Sequence, residues 1–203
     1  MPSYRSVAKR GGDEFVEKGS RFIGVCAPVS GEEEAKAFVA SVRGEHPGAS
    51  HNVYAYRLRD GVCRYSDDGE PSGTAGAPAF EVLARREVVN AAVVITRYFG
   101  GTLLGAGGLV RAYAKASAMA LDAAEVVEMR PWRAGAVAVP YALYEQAARL
   151  LGATGAKDIT PDFGADVTVL FTLPEEDWGA MAEALRELTA GGAEPVRLRD
   201  FYA

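Results

Sequence analysis

The chain has 203 residues, of which 49% are hydrophobic and 24% charged, and its formal net charge is −5. This composition is typical of a water-soluble globular protein with room for one large domain or two small ones. No apolar run approaches the roughly 20 residues that a membrane-spanning helix needs, and no signal-peptide core follows the N-terminus, so we expect a cytoplasmic protein without membrane contact. Basic and acidic residues balance in residues 1–130, and residues 131–203 hold the whole negative excess, which argues against polyanion binding by the C-terminal part.

The first part of the chain, residues 1–129, is predicted to form one domain of alternating strands and helices. Ser30 and Glu33 fit a capping box at the start of the first helix, and Pro78 suits the first turn of the second. Residues 88–96 are apolar through their second half, as a central strand buried on both faces would be. The predicted elements are strands at 3–10 and 13–18, which form a pair, a strand at 22–29, a helix ending at 46, strands at 51–59 and 62–66, a helix beginning at 78, a strand at 88–96 and a helix over 106–123.

The second part, residues 130–203, is predicted to form a separate domain. Its apolar periodicity gives the order strand, helix, strand, strand, helix, strand, which is the ferredoxin-like pattern. The predicted fold class is therefore α+β with two domains. The predicted elements are strands at 132–139, 156–160, 166–173 and 194–201 and helices at 140–151 and 174–189.

A glycine-rich segment at residues 97–109 carries the strongest functional signal. It runs from a strand end into a helix start, where free N–H groups and the helix dipole favour an anion. It matches neither the P-loop nor the dinucleotide-binding fingerprint. The alternative is a tight turn whose glycines only permit close packing while the basic residues stay in solvent. The predicted anion-binding residues of this segment and the helix after it are Arg97, Gly100, Gly101, Gly105, Gly107, Gly108, Arg111 and Lys115.

A second glycine-rich segment, residues 67–78, gathers carboxylates and hydroxyls. Asp67, Asp68 and Glu70 are close enough in sequence to hold Mg²⁺ or to move protons. Ser72 and Thr74 are further candidates for anion binding, and turn formation and helix capping are the alternative roles. No metal or cofactor motif is complete, so neither a metal ion nor a cofactor is predicted.

His51, one of two histidines, begins a predicted strand that can face the carboxylates of residues 67–78, which we call the acidic segment. We therefore take His51, Asp68 and Glu70 as the catalytic candidates, with a hydrogen-bonded structural histidine as the alternative for His51. Both cysteines are predicted to be buried free thiols. A group of aromatic residues near arginines fits either the core or base stacking: Tyr54, Tyr56, Tyr98, Phe99 and Tyr113.

Three stretches together resemble the IMPACT family in its bacterial YigZ type: 50–55 (SHNVYA), 67–78 (DDGEPSGTAGAP) and 93–101 (VVITRYFGG). The resemblance spans essentially the whole chain. It implies an N-terminal domain with the fold shared by a small-subunit ribosomal protein domain and domain IV of elongation factor G. It also implies a ferredoxin-like C-terminal domain that resembles domain V of that factor. Eukaryotic members of the family regulate translation by competing for the activator of a stress-responsive initiation-factor kinase, using an additional N-terminal domain.

Two functional hypotheses follow. The first is a non-enzymatic, translation-associated regulator that binds RNA, the ribosome or a translation factor through an anion-binding cleft in the N-terminal domain, without DNA specificity. The second is an enzyme that acts on a phosphorylated small molecule or a nucleotide at the same cleft. In the second, Asp68 or Glu70 holds a metal or moves a proton and His51 assists. The oligomeric state stays open.

Overall fold

The structure, a computed structural model, describes residues 2–203; Met1, the first residue of the predicted N-terminal domain, lies outside them. The chain divides into two compact units, Tyr4–Glu128 and Met129–Ala203, the second of which also takes in Pro2 and Ser3. Each unit combines helices with strands and has its own hydrophobic core. The predicted α+β class with two domains is confirmed. Among the described residues, no helix is both long and apolar enough to cross a membrane.

The N-terminal unit is built on one antiparallel sheet in the order β2-β3-β6-β4-β5, with a separate two-stranded sheet of β1 and β7. Its elements follow the predicted order closely, and β7 is the strand that the sequence pattern missed. They are β1 (Tyr4–Val7), β2 (Gly11–Glu17), β3 (Ser20–Pro28), α1 (Glu32–Glu45), β4 (His51–Arg57), β5 (Cys63–Ser66), α2 (Gly76–Arg85), β6 (Ala91–Tyr98), α3 (Ala106–Ala123) and β7 (Val126–Met129).

Strand β6 is the central strand, and its first seven residues are all buried, as the apolar run predicts. Val93 and Ile95 belong to the core that the sheet forms with α2 and α3. Val94 instead packs with residues of α1 on the other face. Because successive side chains of a strand point to opposite faces, Arg97 follows Val93 and Ile95 onto the face that α3 covers.

Two predictions about local structure are wrong. The stretches 3–10 and 13–18 do not pair, because β1 pairs with β7 and β2 with β3. The β2–β3 hairpin turns at Lys18 and Gly19, both with positive φ (47° and 79°), which suits the right-handed twist of the flanking strands. Ser30 and Glu33 do not form a capping box; Glu34 accepts hydrogen bonds from both the backbone N–H and the hydroxyl of Ser30.

The C-terminal unit is ferredoxin-like, as predicted. Its sheet has the order β11-β8-β10-β9 with antiparallel neighbours, and its core includes Phe171, Trp178 and Met181. The predicted helix at 174–189 begins with a 3-10 turn (Glu175–Asp177). The other elements are β8 (Pro131–Val139), α4 (Tyr141–Ala153), β9 (Lys157–Phe163), β10 (Val167–Pro174), α5 (Trp178–Leu188) and β11 (Val196–Tyr202).

Candidate functional site

The glycine-rich loop between β6 and α3 uses its glycines for three different reasons. Gly100 lies against the β2–β3 turn, where an added Cβ would meet the carbonyl carbon of Gly19 at 1.9 Å. Gly101 and Gly105 have positive φ values of 85° and 73°, a conformation that side chains disfavour. An added Cβ on Gly108 would approach Leu104 at 3.0 Å. These four glycines therefore shape the loop whether or not a ligand binds.

The start of α3 is open. Gly105 is the N-cap and supplies no side-chain hydrogen bond, and no acidic residue lies in the first turn. Leu109 N–H makes the first helical bond, to the Gly105 carbonyl at 2.9 Å. The N–H groups of the preceding residues have no intrahelical partner, and an added Cβ on Gly107 would meet only the Arg111 guanidinium, at 3.5 Å. The local structure that favours an anion is thus present.

Arg111 and Lys115 lie on the exposed side of α3 and line a cavity of about 130 Å³ that also includes Lys18 of the β2–β3 turn. None of these three cations forms an ion pair with another described residue. The Lys115 ammonium lies 4.1 Å from the centroid of the Phe15 ring. Glu17 is the acidic residue of the wall. We call Lys18, Arg111 and Lys115 the cationic patch.

Arg97 is not part of this patch, so the predicted grouping of Arg97 with Arg111 and Lys115 is not seen. Its guanidinium is buried, 5% exposed, and pairs with Glu70 at 2.6 Å. It also donates to the Ser20 hydroxyl at 3.2 Å and lies 5.5 Å from the Phe99 ring centroid. The Arg97 Nε is buried without a partner in the described part of the chain. Arg97 thus binds the protein's own carboxylate instead of standing free for an external anion.

Glu70 is the centre of a buried polar cluster. Its Oε1 accepts hydrogen bonds from Arg97 and from the Tyr113 hydroxyl, both at 2.6 Å. Burial and the bond to Glu70 raise the pKa of Tyr113 far above its ordinary value, so the phenol stays a donor. The second carboxylate oxygen, Oε2, accepts no hydrogen bond from any described residue.

His51 completes this cluster with a defined tautomer. Its Nδ1 lies 2.8 Å from the backbone carbonyl of Asp68. Because a carbonyl can only accept, the proton of the neutral ring sits on Nδ1 and leaves Nε2 with a lone pair. This Nε2 lies 3.8 Å from Glu70 Oε1. We call His51, Glu70, Arg97 and Tyr113 the Glu70 cluster.

The other polar residues of the acidic segment hold the segment together. Asp67 accepts backbone N–H groups of Gly73, Ala75 and Gly76. Burial opposes ionisation of Asp67, but these hydrogen bonds outweigh it and lower its pKa. Asp68 accepts the Asn52 N–H at 2.6 Å and pairs with Arg43.

Ser72 and Thr74, the hydroxyl candidates for anion binding, lie in different surroundings. Thr74 is buried, and its hydroxyl donates to the Pro71 carbonyl at 2.6 Å. Ser72 is exposed and makes no polar contact within the described chain. Among the described residues, no three His, Cys, Asp or Glu side chains form a group that could hold a metal ion.

A second and larger cavity, of about 350 Å³, opens over the Glu70 cluster. His51, Glu70 and Arg97 form its polar part. Phe99 and Leu103 belong to its apolar wall and are 49% and 80% exposed. We call it the Glu70 cavity. Its wall is completed by Gly69, Pro71, Leu104, Gly105, Ala106 and Leu109.

Sequence patterns missed Lys18 and Ser20, and they marked Tyr113 only as a core or stacking aromatic, without a role for its hydroxyl. Lys18 lies far from the glycine loop in sequence, and only the β2–β3 turn brings it to α3. Ser20 begins β3, and Tyr113 lies on the buried side of α3. Their hydroxyls gain importance only through Arg97 and Glu70, so no local signal could have marked them.

Comparison with known proteins places this geometry in a family. The model of the Impact N-terminal domain matches residues 18–121, which contain the whole wall of the Glu70 cavity and the three cations of the cationic patch. The chain belongs to the IMPACT family. A domain of unknown function, DUF1949, matches residues 137–191. The resemblance stated from the sequence is confirmed.

Relatives within the IMPACT family cover most of the chain. The IMPACT family member YigZ of Escherichia coli is 35% identical over 187 residues, which are 90% of this chain and 92% of that protein. YvyE of Bacillus subtilis is 44% identical over 135 residues, 66% of this chain and 62% of that protein. A crystal structure described as that of an hypothetical protein has a TM-score of 0.63 and 33% identity, with 98% of each chain covered.

Proposed function

We propose that this IMPACT family protein is a non-enzymatic, translation-associated regulator that binds RNA backbone through its N-terminal unit, in the cytoplasm where translation takes place. The observation that carries the proposal is the cationic patch: three basic side chains that form no ion pair with another residue of 2–203, around a cavity beside the open start of α3. Membership of the IMPACT family supports the link to translation, because the resemblance implies translation control by eukaryotic members.

Unpaired cations on a concave surface are suited to phosphates. Most other basic residues of the unit are neutralised by a neighbour, such as Arg10 by Glu45 and Arg85 by Glu81. Lys18, Arg111 and Lys115 therefore keep a local positive potential in a unit whose basic and acidic residues are nearly equal in number. A polyanion that binds there releases its condensed counterions, so its affinity falls steeply as salt rises. The N–H groups at the start of α3 add donors without sequence preference.

The structure changes which residues carry this proposal. Arg97 is occupied by Glu70, so we assign backbone binding to Arg111 and Lys115 and add Lys18. Among the glycines, Gly107 and Gly108 belong to the first turn of α3, where backbone N–H groups are available to a phosphate.

The test is the salt dependence of binding to a labelled single-stranded RNA. Each phosphate contact on single-stranded nucleic acid contributes about 0.7 to the slope of log affinity against log salt. The Arg111→Ala/Lys115→Ala variant should therefore lose about 1.4 from the slope and bind all RNA sequences more weakly to the same extent. The matched control is Lys36→Ala/Arg85→Ala, which removes two exposed, internally paired cations from the same unit.

The control variant should keep the wild-type slope. Equal losses in the two double variants would assign binding to the general charge of the unit and remove the cationic patch from the proposal. Loss confined to particular RNA sequences would contradict backbone recognition.

One observation favours a second candidate function, an enzyme acting on a phosphorylated small molecule or nucleotide. His51 presents the lone pair of Nε2 beside a buried carboxylate, the arrangement that a general base requires. A panel of nucleotides and phosphate esters would test it. Turnover that disappears in His51→Ala while the melting temperature is unchanged would support this candidate, and absence of turnover by the wild type on the whole panel would count against it.

A further inference from the structure

We propose that the Glu70 cavity is a subsite for a single unstacked guanine base. This inference rests on the proposed function, because it gives the RNA-binding unit a base-reading site beside its phosphate-binding patch. Four features support it: two hydrogen-bond acceptors without partners, an exposed aromatic wall, a suitable volume and a neighbouring patch of cations.

The polar part of the cavity offers acceptors. Glu70 has a side chain that is 3% exposed, yet its Oε2 receives no hydrogen bond from any described residue. His51 contributes the lone pair of Nε2, because Nδ1 is committed to the Asp68 carbonyl. Because this oxygen stays accessible to solvent, a ligand can donate a hydrogen bond to it in place of water. The ligand that fits should therefore present hydrogen-bond donors.

The Arg97–Glu70 ion pair keeps this acceptor set in place. Arg97 and Tyr113 both donate to Oε1 of Glu70, so the orientation of the carboxylate is restrained from two sides. Only Oε2 is left for a ligand. The site is thus preorganised and needs no rearrangement of the cluster when a donor arrives.

The apolar wall suits the face of a flat ring. Phe99 is half exposed, and the Arg97 guanidinium lies 5.5 Å from its ring centroid on one side. Leu103 is 80% exposed next to it. Aromatic side chains that stack an unpaired base are a recurring feature of proteins that read single-stranded RNA. The volume of about 350 Å³ lies within the usual range of small-molecule sites.

The pattern of donors selects one base. Guanine carries two adjacent donors on its Watson–Crick edge, N1–H and the N2 amino group, and the cavity offers two acceptors, Oε2 of Glu70 and Nε2 of His51. Uracil, cytosine and adenine each place an acceptor next to their donor, and that acceptor would face Glu70 or His51 without a proton between them. Gly105 and Ala106 at the start of α3 also form part of the wall, where N–H groups suit the O6 of guanine.

The cationic patch adjoins this cavity. Leu104 lies in the wall of both cavities. A base bound over Glu70 and a phosphate bound near Arg111 would therefore lie on opposite sides of the Leu104 side chain. A nucleotide combines these two chemistries in a single ligand. A free guanine nucleotide and a guanosine within an RNA strand share this chemistry, and the experiment separates them.

The experiment compares guanosine monophosphate with inosine monophosphate by isothermal titration. Inosine keeps N1–H but lacks the N2 amino group. We expect the wild type to bind the guanosine nucleotide about tenfold more tightly, the discrimination that one good base contact supplies. His51→Ala should lose this preference. Phe99→Ala should lower the affinity for both nucleotides about tenfold. Tyr65 is an exposed aromatic residue outside the cavity, so Tyr65→Ala should leave both affinities unchanged.

The same comparison is then made with uridine oligonucleotides that carry one guanosine or one inosine. Equal affinity for the two nucleotides and for the two oligonucleotides overturns the base subsite, while the salt dependence through Arg111 and Lys115 still decides the proposed function separately. A guanosine preference with mononucleotides but no binding of any oligonucleotide keeps the subsite and overturns the RNA proposal. Equal effects of Phe99→Ala and Tyr65→Ala also overturn the subsite.

Discussion

Glu70 and Arg97 form a buried ion pair at 2.6 Å that joins the two glycine-rich segments of the chain. Glu70 belongs to the segment that precedes α2, and Arg97 ends the strand that leads to the loop before α3. Tyr113 of α3 donates to the same carboxylate oxygen. Three separate parts of the N-terminal unit therefore depend on one carboxylate, which positions the wall of the Glu70 cavity.

Removal of this carboxylate should destabilise the N-terminal unit strongly. In Glu70→Ala the guanidinium of Arg97 stays buried without its partner, and breaking a buried pair in this way costs about 3–5 kcal/mol. The free energy of unfolding, measured by urea denaturation, gives the loss. Glu81→Ala serves as the control because Glu81 pairs with Arg85 at the surface, where an ion pair contributes at most about 1 kcal/mol. Similar losses in the two variants would show that Glu70 is not essential to the cluster.

Local patterns in the sequence were enough to predict most of the fold. The apolar run of β6 and the alternation in the C-terminal unit depend only on neighbours in the chain, so both were predicted. β7 was missed because it has four residues and is defined by its partner β1 at the other end of the unit. The β1–β2 pairing was wrong for the related reason that Gly11 and Gly12 belong to a strand and the turn lies later, at Lys18 and Gly19.

The candidate site was predictable in its residues but not in its grouping. The glycine loop, His51 and Glu70 all lie at the site, because strand ends and helix starts meet there. The register of β4 and β6 sets His51 opposite Arg97, but the carboxylate that pairs with Arg97 comes from the loop before α2. No spacing along the chain shows that a carboxylate from a different segment neutralises that arginine, so its burial could not be anticipated.

Gly100 and Gly107 should respond in opposite ways to alanine. A Cβ on Gly100 would overlap the backbone of Gly19 at 1.9 Å, and relief of that overlap must shift the loop or the hairpin. We expect Gly100→Ala to cost at least about 2 kcal/mol. Gly107→Ala adds a methyl group whose one near neighbour among the described residues is the Arg111 guanidinium, at an ordinary contact distance of 3.5 Å. Alanine is the better helix former, so stability should rise by up to about 1 kcal/mol. Thermal unfolding of the two variants and the wild type measures both effects. A loss of stability in Gly107→Ala would show that a side chain at this position is not tolerated.

The two cysteines should differ sharply in reactivity. Cys26 is fully buried in β3, and burial raises the pKa of its thiol to about 12. Cys63 is half-buried at the start of β5, so the prediction that both thiols are buried holds for Cys26 alone. Because the thiolate is the reacting species, iodoacetamide at mildly alkaline pH should label Cys63 and leave Cys26 unmodified in the native protein. Mass spectrometry locates the label; both thiols should react in denaturant, and native labelling of Cys26 would show that β3 opens.

Acid should weaken the N-terminal unit through Asp67. Its carboxylate accepts three backbone N–H groups at 2.8 to 3.0 Å, and these bonds hold its pKa in the folded protein below the ordinary value of 3.8, against the opposing effect of burial. A lowered pKa means that the stabilisation is fully present above 3.8 and is lost as the pH falls through the pKa of the folded state. Asp67→Asn should therefore cost about 2 kcal/mol at neutral pH, as expected for lost bonds to a charged acceptor.

The difference between the wild type and Asp67→Asn should shrink once the pH falls below 3.8, because protonation weakens the same bonds in the wild type. Urea denaturation across an acidic pH series measures it. Glu87→Gln is the control, since Glu87 is exposed and accepts no hydrogen bond from the described residues with its carboxylate. If the difference in the free energy of unfolding between the wild type and Asp67→Asn stays constant down to the lowest pH, the charge of the carboxylate does not stabilise the loop. The shape of the Asp67 side chain alone would then account for its role.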